Sequence, residues 1–177
     1  MIRNRTLLMV AAGAAATLGA ATIVAAQATA ERIEFPADYA TSFTMYLEID
    51  RIQNPGQVMR IFANDAALLG PGPDGRLSDG AVLVGEIYRA RTDAAGNVII
   101  SDVGRQIRGE IAAVAVMEKQ DGWGDAFQAN LRNDDWDFAM FNAAGERLDR
   151  DLDACRACHA PLVDRDHVFS FQHLPTP

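Results

Sequence analysis

The chain holds its only two cysteines in one short run close to its C-terminus, Cys155-Arg156-Ala157-Cys158-His159. Two thiols one helical turn apart, followed at once by an imidazole, suit covalent attachment of haem c. Both sulfurs reach one edge of a porphyrin, and the histidine reaches its iron. On this reading Cys155 and Cys158 form the thioethers and His159 binds iron through Nε2. Its Nδ1 is then free to donate to a nearby oxygen, which fixes the ring. A C-x-x-C pair also serves as a redox dithiol, a disulfide or half of a zinc site. The dithiol reading lacks a preceding βαβ pattern, and the zinc reading would have to recruit His167 or His173. The late position is the strongest constraint on the fold. Many small electron carriers place this motif near their start, whereas here nearly the whole domain precedes it.

Residues 1–30 read as a secretory signal. Arg3 and Arg5 form a positive start, Leu7 to Ala26 is apolar and alanine-rich, and Ala26-Gln27-Ala28 and Ala28-Thr29-Ala30 offer small-x-small cleavage sites. An uncleaved N-terminal anchor is the alternative. Both place the folded part in the periplasm, and a single haem-binding domain over 31–177 is expected. Cleavage removes Arg3 and Arg5 but none of the 24 acidic residues, so net charge moves from −8 to about −10. Such a surface argues against nucleic acid as a partner and fits a redox partner protein of opposite charge.

Hydrophobic periodicity predicts an α+β fold, an antiparallel β-sheet with flanking helices, to which the motif adds a single c-type haem near the C-terminus. Strands are expected over 58–63, 81–91, 98–100, 111–118 and 135–141. In the last, alternation puts Trp136, Phe138 and Met140 on one face. Asn64 or Asp65 caps a short helix ending near Leu69. Residues 70–80 form a loop, 93–97 a hairpin turn, and 147–158 a helical approach to the cysteines, capped by Asp149 or Asp151. The segment 35–48 suits either a helix or a strand. Four long amphipathic helices, as a four-helix bundle needs, are not present in the pattern.

These pieces in this order resemble the cytochrome c′-beta family and its hydroxylamine-oxidising relatives, the 460-nm cytochromes. The resemblance rests on Phe62-Ala63-Asn64-Asp65-Ala66, Pro73-Asp74-Gly75 or Ser78-Asp79-Gly80, Val116-Met117-Glu118-Lys119, Gly122-Trp123-Gly124, Asp135-Trp136-Asp137-Phe138, the late CRACH and Asp166-His167-Val168-Phe169. It implies a homodimeric, sheet-rich domain with five-coordinate, histidine-ligated iron. One branch cross-links a lysine to the porphyrin and oxidises hydroxylamine with help from a pocket carboxylate. The other has no cross-link and binds NO or CO in an apolar pocket. Lys119 is the only lysine in the chain. The resemblance puts the cross-linking position in or near 82–88, closest to Gly85, so it favours the branch without a cross-link.

The expected function is therefore a periplasmic mono-haem cytochrome binding NO or a similar small diatomic ligand, transferring electrons, or both. Phe43, Phe62, Val84 and Met140 are the candidates to line its pocket, and Trp123 and Trp136 are expected to be structural anchors. The alternative is a hydroxylamine-oxidising or peroxidase-like enzyme, or a six-coordinate electron-transfer subunit. For the latter, Met45, Met59, Met117, Met140, His167 or His173 would supply the sixth ligand. Glu86, Glu110 and Glu118 are the candidate pocket carboxylates.

Overall fold

The computed structural model describes residues 32–176, so the export segment expected over 1–30 lies outside the described residues. Five strands run in chain order through one antiparallel sheet: β1 (Thr44–Asp50), β2 (Gln57–Ala63), β3 (Val82–Ala90), β4 (Arg108–Lys119) and β5 (Trp136–Phe141). β-branched and aromatic residues recur in every one of these segments, and the central strands carry apolar residues on both sides because both sheet faces are covered over part of their length.

Cross-strand register separates the two faces. On one, Phe62, Val84, Val116 and Ala139 stand directly opposite one another across β2 to β5. Ile33, Tyr39 and Phe141 complete this buried cluster, with Phe35 and Trp123 against its margin. On the other face the matching row is Leu47, Ile61, Gly85, Ala115 and Met140. The next row along is Ala63, Leu83, Met117 and Phe138. Here Ala63, Leu83, Trp136, Val168 and Leu174 form a second buried cluster, closed by the C-terminal segment. Each fully buried large side chain contributes about 1.5–3 kcal/mol.

The helices are short. The 35–48 ambiguity resolves into both elements, a single turn α1 (Tyr39–Ser42) followed by β1. The helix α2 (Asp65–Leu68) is capped by Asn64, whose Oδ1 accepts from Ala67 N at 3.0 Å and from Val82 N at 3.0 Å. The cap therefore also ties the helix to the start of β3.

Two expectations are corrected. Val98 and Ile100 make only isolated bridges, to Thr92 and Gln106, so 98–100 is a small hairpin extension rather than a strand. The helix expected over 147–158 is shorter: α3 spans Asp153–His159. Before it, Leu148 N donates to Met140 O at 2.8 Å, so the chain keeps pairing with the sheet edge instead of coiling. Asp149 does not cap α3, whereas Asp151 Oδ1 accepts from Asp153 N at 2.9 Å.

Candidate haem-binding site

One turn apart on α3, Cys155 and Cys158 are free thiols, the first half-buried and the second exposed. Burial raises the Cys155 thiol above its ordinary value, and the adjacent Arg156 charge only partly offsets this. Arg51, at the end of β1, lies within electrostatic reach of both cysteines and binds Gln57 Oε1 at 2.6 Å.

Arg156, between the two cysteines, anchors the helix. Its guanidinium donates to Asp137 Oδ1 at 2.7 Å and Asp153 Oδ1 at 3.1 Å and lies 4.3 Å over the Phe127 ring. Asp137 is fully buried; it also accepts from Arg32 Nε at 2.7 Å and from the Phe138 amide at 2.8 Å. A buried carboxylate with two guanidiniums and one amide thus fixes the attachment helix against β5.

His159 closes the helix. Its Nδ1 donates to the His167 carbonyl at 2.7 Å, and no hydrogen bond to Nε2 is present among the described residues. Burial lowers its pKa; the bond to His167 opposes that shift and the His167 charge adds to it. A neutral imidazole with Nδ1 engaged and Nε2 free is the form an iron ligand must take. Its ring lies edge-on between Phe138 and Phe169, each 4.9 Å away between centroids.

The carbonyl that holds His159 sits on an unusual turn. Asp166 and His167 are consecutive left-handed residues, with φ of 46° and 60°, and neither is glycine. Each such residue costs about 1–3 kcal/mol and persists only where its surroundings over-determine it. The Asp166 carboxylate is fully buried and accepts from Leu77 N at 2.9 Å, Trp136 Nε1 at 3.2 Å and Lys119 Nζ at 2.9 Å. Lys119 Nζ also contacts Asp134 at 3.1 Å, so the only lysine is held between two carboxylates.

Of the proposed pocket residues, the structure brings only Met140 to the His159 side of the sheet, two residues along β5 from Phe138. Phe62 and Val84 are separated from it. They stand on the opposite face, Phe62 with its ring 5.3 Å from that of Tyr39 and Val84 fully buried beside it. Phe43 packs on that same cluster. The physical reason is parity: β2 and β3 are apolar on both faces, and alternation alone does not say which face receives a cofactor. On the His159 side Met59, Ala115 and Met140 remain only half-buried although they lie well inside the sheet. An apolar sheet centre left partly uncovered beside a free imidazole nitrogen and two free thiols fits a haem.

Among candidate sixth ligands, Met59, Met117 and Met140 share this face. Met45 pairs with Phe62 and is exposed, Met117 packs against the Trp136 cluster, His167 is buried with Nδ1 3.3 Å from the His159 carbonyl, and His173 is exposed. Among candidate carboxylates, Glu86 lies on the Val84 face, buried, and accepts from Tyr39 and Tyr88 hydroxyls at 2.9 and 2.7 Å. Glu118 shares that face and binds Gln120, and Glu110 is exposed. Trp136 is an anchor as expected, and Trp123 lies half-buried under the Arg32 guanidinium.

Residues 36–170 match the model of the family described as cytochrome P460. The chain belongs to the cytochrome P460 family. A comparison with curated proteins returns no match. Membership makes it a c-type haem protein of the P460 and cytochrome c′ superfamily, with an electron-transfer or small-ligand-binding role, on an α+β fold whose five-stranded sheet is described above. By its description the match stands nearer to the 460-nm branch, the alternative reading, than to the c′-beta branch. Gly85, the position assigned to the cross-linking lysine by resemblance, lies on the Met140 face. A side chain there would meet the Met59 methyl.

The anchors Asp137 and Asp166 escaped sequence reasoning. Their motifs, Trp-Asp-Phe and Asp-His-Val-Phe, stood in the resemblance, but alternation reads an aspartate between apolar residues as facing solvent.

Proposed function

We propose that this P460-family chain is an exported mono-haem cytochrome that binds small uncharged ligands, NO or CO above O₂, without a lysine cross-link. Cys155 and Cys158 would hold the haem and His159 Nε2 its iron; the group supplies an open coordination position and a one-electron couple. The observation that carries the reading is the state of Lys119. Its amine is buried and bound to both Asp166 and Asp134.

The chain's own residues supply the rest. His159 is kept neutral by burial and oriented by the His167 carbonyl, and the Phe138 and Phe169 edges limit its rotation. Met59, Ala115 and Met140 offer apolar contact and no proton donor. O₂ gains most from a donor, so their chemistry favours NO and CO. No candidate carboxylate on the Glu86 face reaches this side, which weighs against assisted hydroxylamine oxidation. A homodimer and a basic redox partner are part of the proposal, and sedimentation of the mature protein tests the first.

The test is haem-peptide mapping together with the ferrous optical spectrum. Two thioethers and no third bond, with a spectrum that shifts on adding NO or CO, is the expected result. A third protein–haem bond with hydroxylamine turnover establishes the second reading, which the family description favours. For the six-coordinate reading, the two thioethers at the half-buried sheet centre, Met59 and Met140, are the first to test. Replacing both, Met59→Leu with Met140→Leu, should leave the ligand-free spectrum unchanged; a low-spin spectrum turning high-spin would instead assign one of them to iron.

A further inference from the structure

We propose that Lys119 is a positioning residue for His159, acting through Asp166; the inference rests on the reading of His159 as the iron ligand. The chain of contacts is short. Lys119 Nζ holds Asp166 at 2.9 and 3.1 Å, Asp166 and His167 form the left-handed turn, and the His167 carbonyl receives His159 Nδ1 at 2.7 Å.

Charge accounting singles out Lys119. The Asp166 side chain is fully buried, so its charge needs a buried counter-ion. Arg76 reaches it only at 3.4 Å and is 37% exposed, whereas the Lys119 side chain is 7% exposed. Leu77 N and Trp136 Nε1 are neutral donors. Without the ammonium, Asp166 keeps only two neutral donors and the longer, more exposed contact to Arg76, and the turn relaxes toward ordinary backbone angles. The His167 carbonyl then turns away from Nδ1. A histidine that loses this bond is a weaker electron donor to its metal, which stabilises the reduced form.

The experiment measures the reduction midpoint potential and the thermal unfolding midpoint of the holoprotein. Lys119→Met should raise the potential, and Lys119→Arg should return it most of the way. Glu86→Gln is the control, because it disturbs another buried carboxylate on the opposite face. It should lower the unfolding midpoint and leave the potential at the wild-type value. Should Lys119→Met fail to fold, Trp136→Phe removes one donor to Asp166 without removing charge and should move the potential in the same direction. A potential indifferent to both Lys119→Met and Trp136→Phe, or moved equally by Glu86→Gln, overturns the proposal. If replacing His159 leaves the optical spectrum unchanged, the ligand assignment itself fails and takes the proposal with it. A spectrum that depends on His159 while the potential ignores Lys119 overturns the proposal alone.

Discussion

Replacing Asp137 with alanine should destabilise the protein by about 3–5 kcal/mol, the usual cost of stripping a buried ion pair of one partner. Asp137 has no solvent exposure and neutralises Arg32 and Arg156 at 2.7 Å each. Among the described residues, its loss leaves Arg156, 7% exposed, with only the Asp153 carboxylate at the helix surface. At this chain length that cost corresponds to a fall in Tm of roughly 6–20 °C. Because Arg156 lies between Cys155 and Cys158, the damage should also reach attachment, and the yield of haem-loaded protein should fall with stability. The double variant Asp137→Ala with Arg156→Met removes both charges. It should recover part of the loss, since an apolar side chain over Phe127 is cheaper than an unpaired guanidinium. Thermal unfolding of the three proteins decides it. A double variant no more stable than Asp137→Ala would mean that Arg156 is not held by this pairing.

The motif and most strands were legible because each is a local signal: CRACH needs only its own five residues, 58–63 and 81–91 are rich in apolar residues, and 135–141 alternates. The helix before the motif was misread because its length is decided by pairing with β5, a contact distant in sequence. The proposed wall residues divide between the two sheet faces for a related reason. In Val82-Leu83-Val84 every residue is apolar, so the sequence holds no record of which side faces the imidazole. The buried aspartates were hidden by the opposite error. Asp137 and Asp166 look like surface residues until the arginines, the lysine and the tryptophan that satisfy them are brought in from other elements. Lys119 was noticed for its rarity, and the structure gives that rarity a different meaning: the one amine in the chain is committed to a carboxylate beside the histidine's support.

Phe62→Ala should cost about 3–5 kcal/mol in unfolding free energy while leaving ligand binding untouched. Phe62 is 4% exposed, edge-on to Tyr39, with the Arg60 guanidinium 5.1 Å over its ring. Removing the ring opens a cavity inside a cluster that includes Val84, Val116 and Ala139, and none of these can collapse into it without moving a strand. That cluster lies across the sheet from His159, so the ferrous spectrum and the affinity for CO should match the wild type. Met140→Ala should do the reverse. Met140 is half-buried, so the stability loss is smaller, but it shares a face with Phe138 and the histidine, so CO affinity should change. Paired measurements of unfolding and CO binding on the two variants separate core from pocket. If Phe62→Ala alters CO binding and Met140→Ala does not, the haem lies on the Val84 face, and the assignment of faces to functions is inverted.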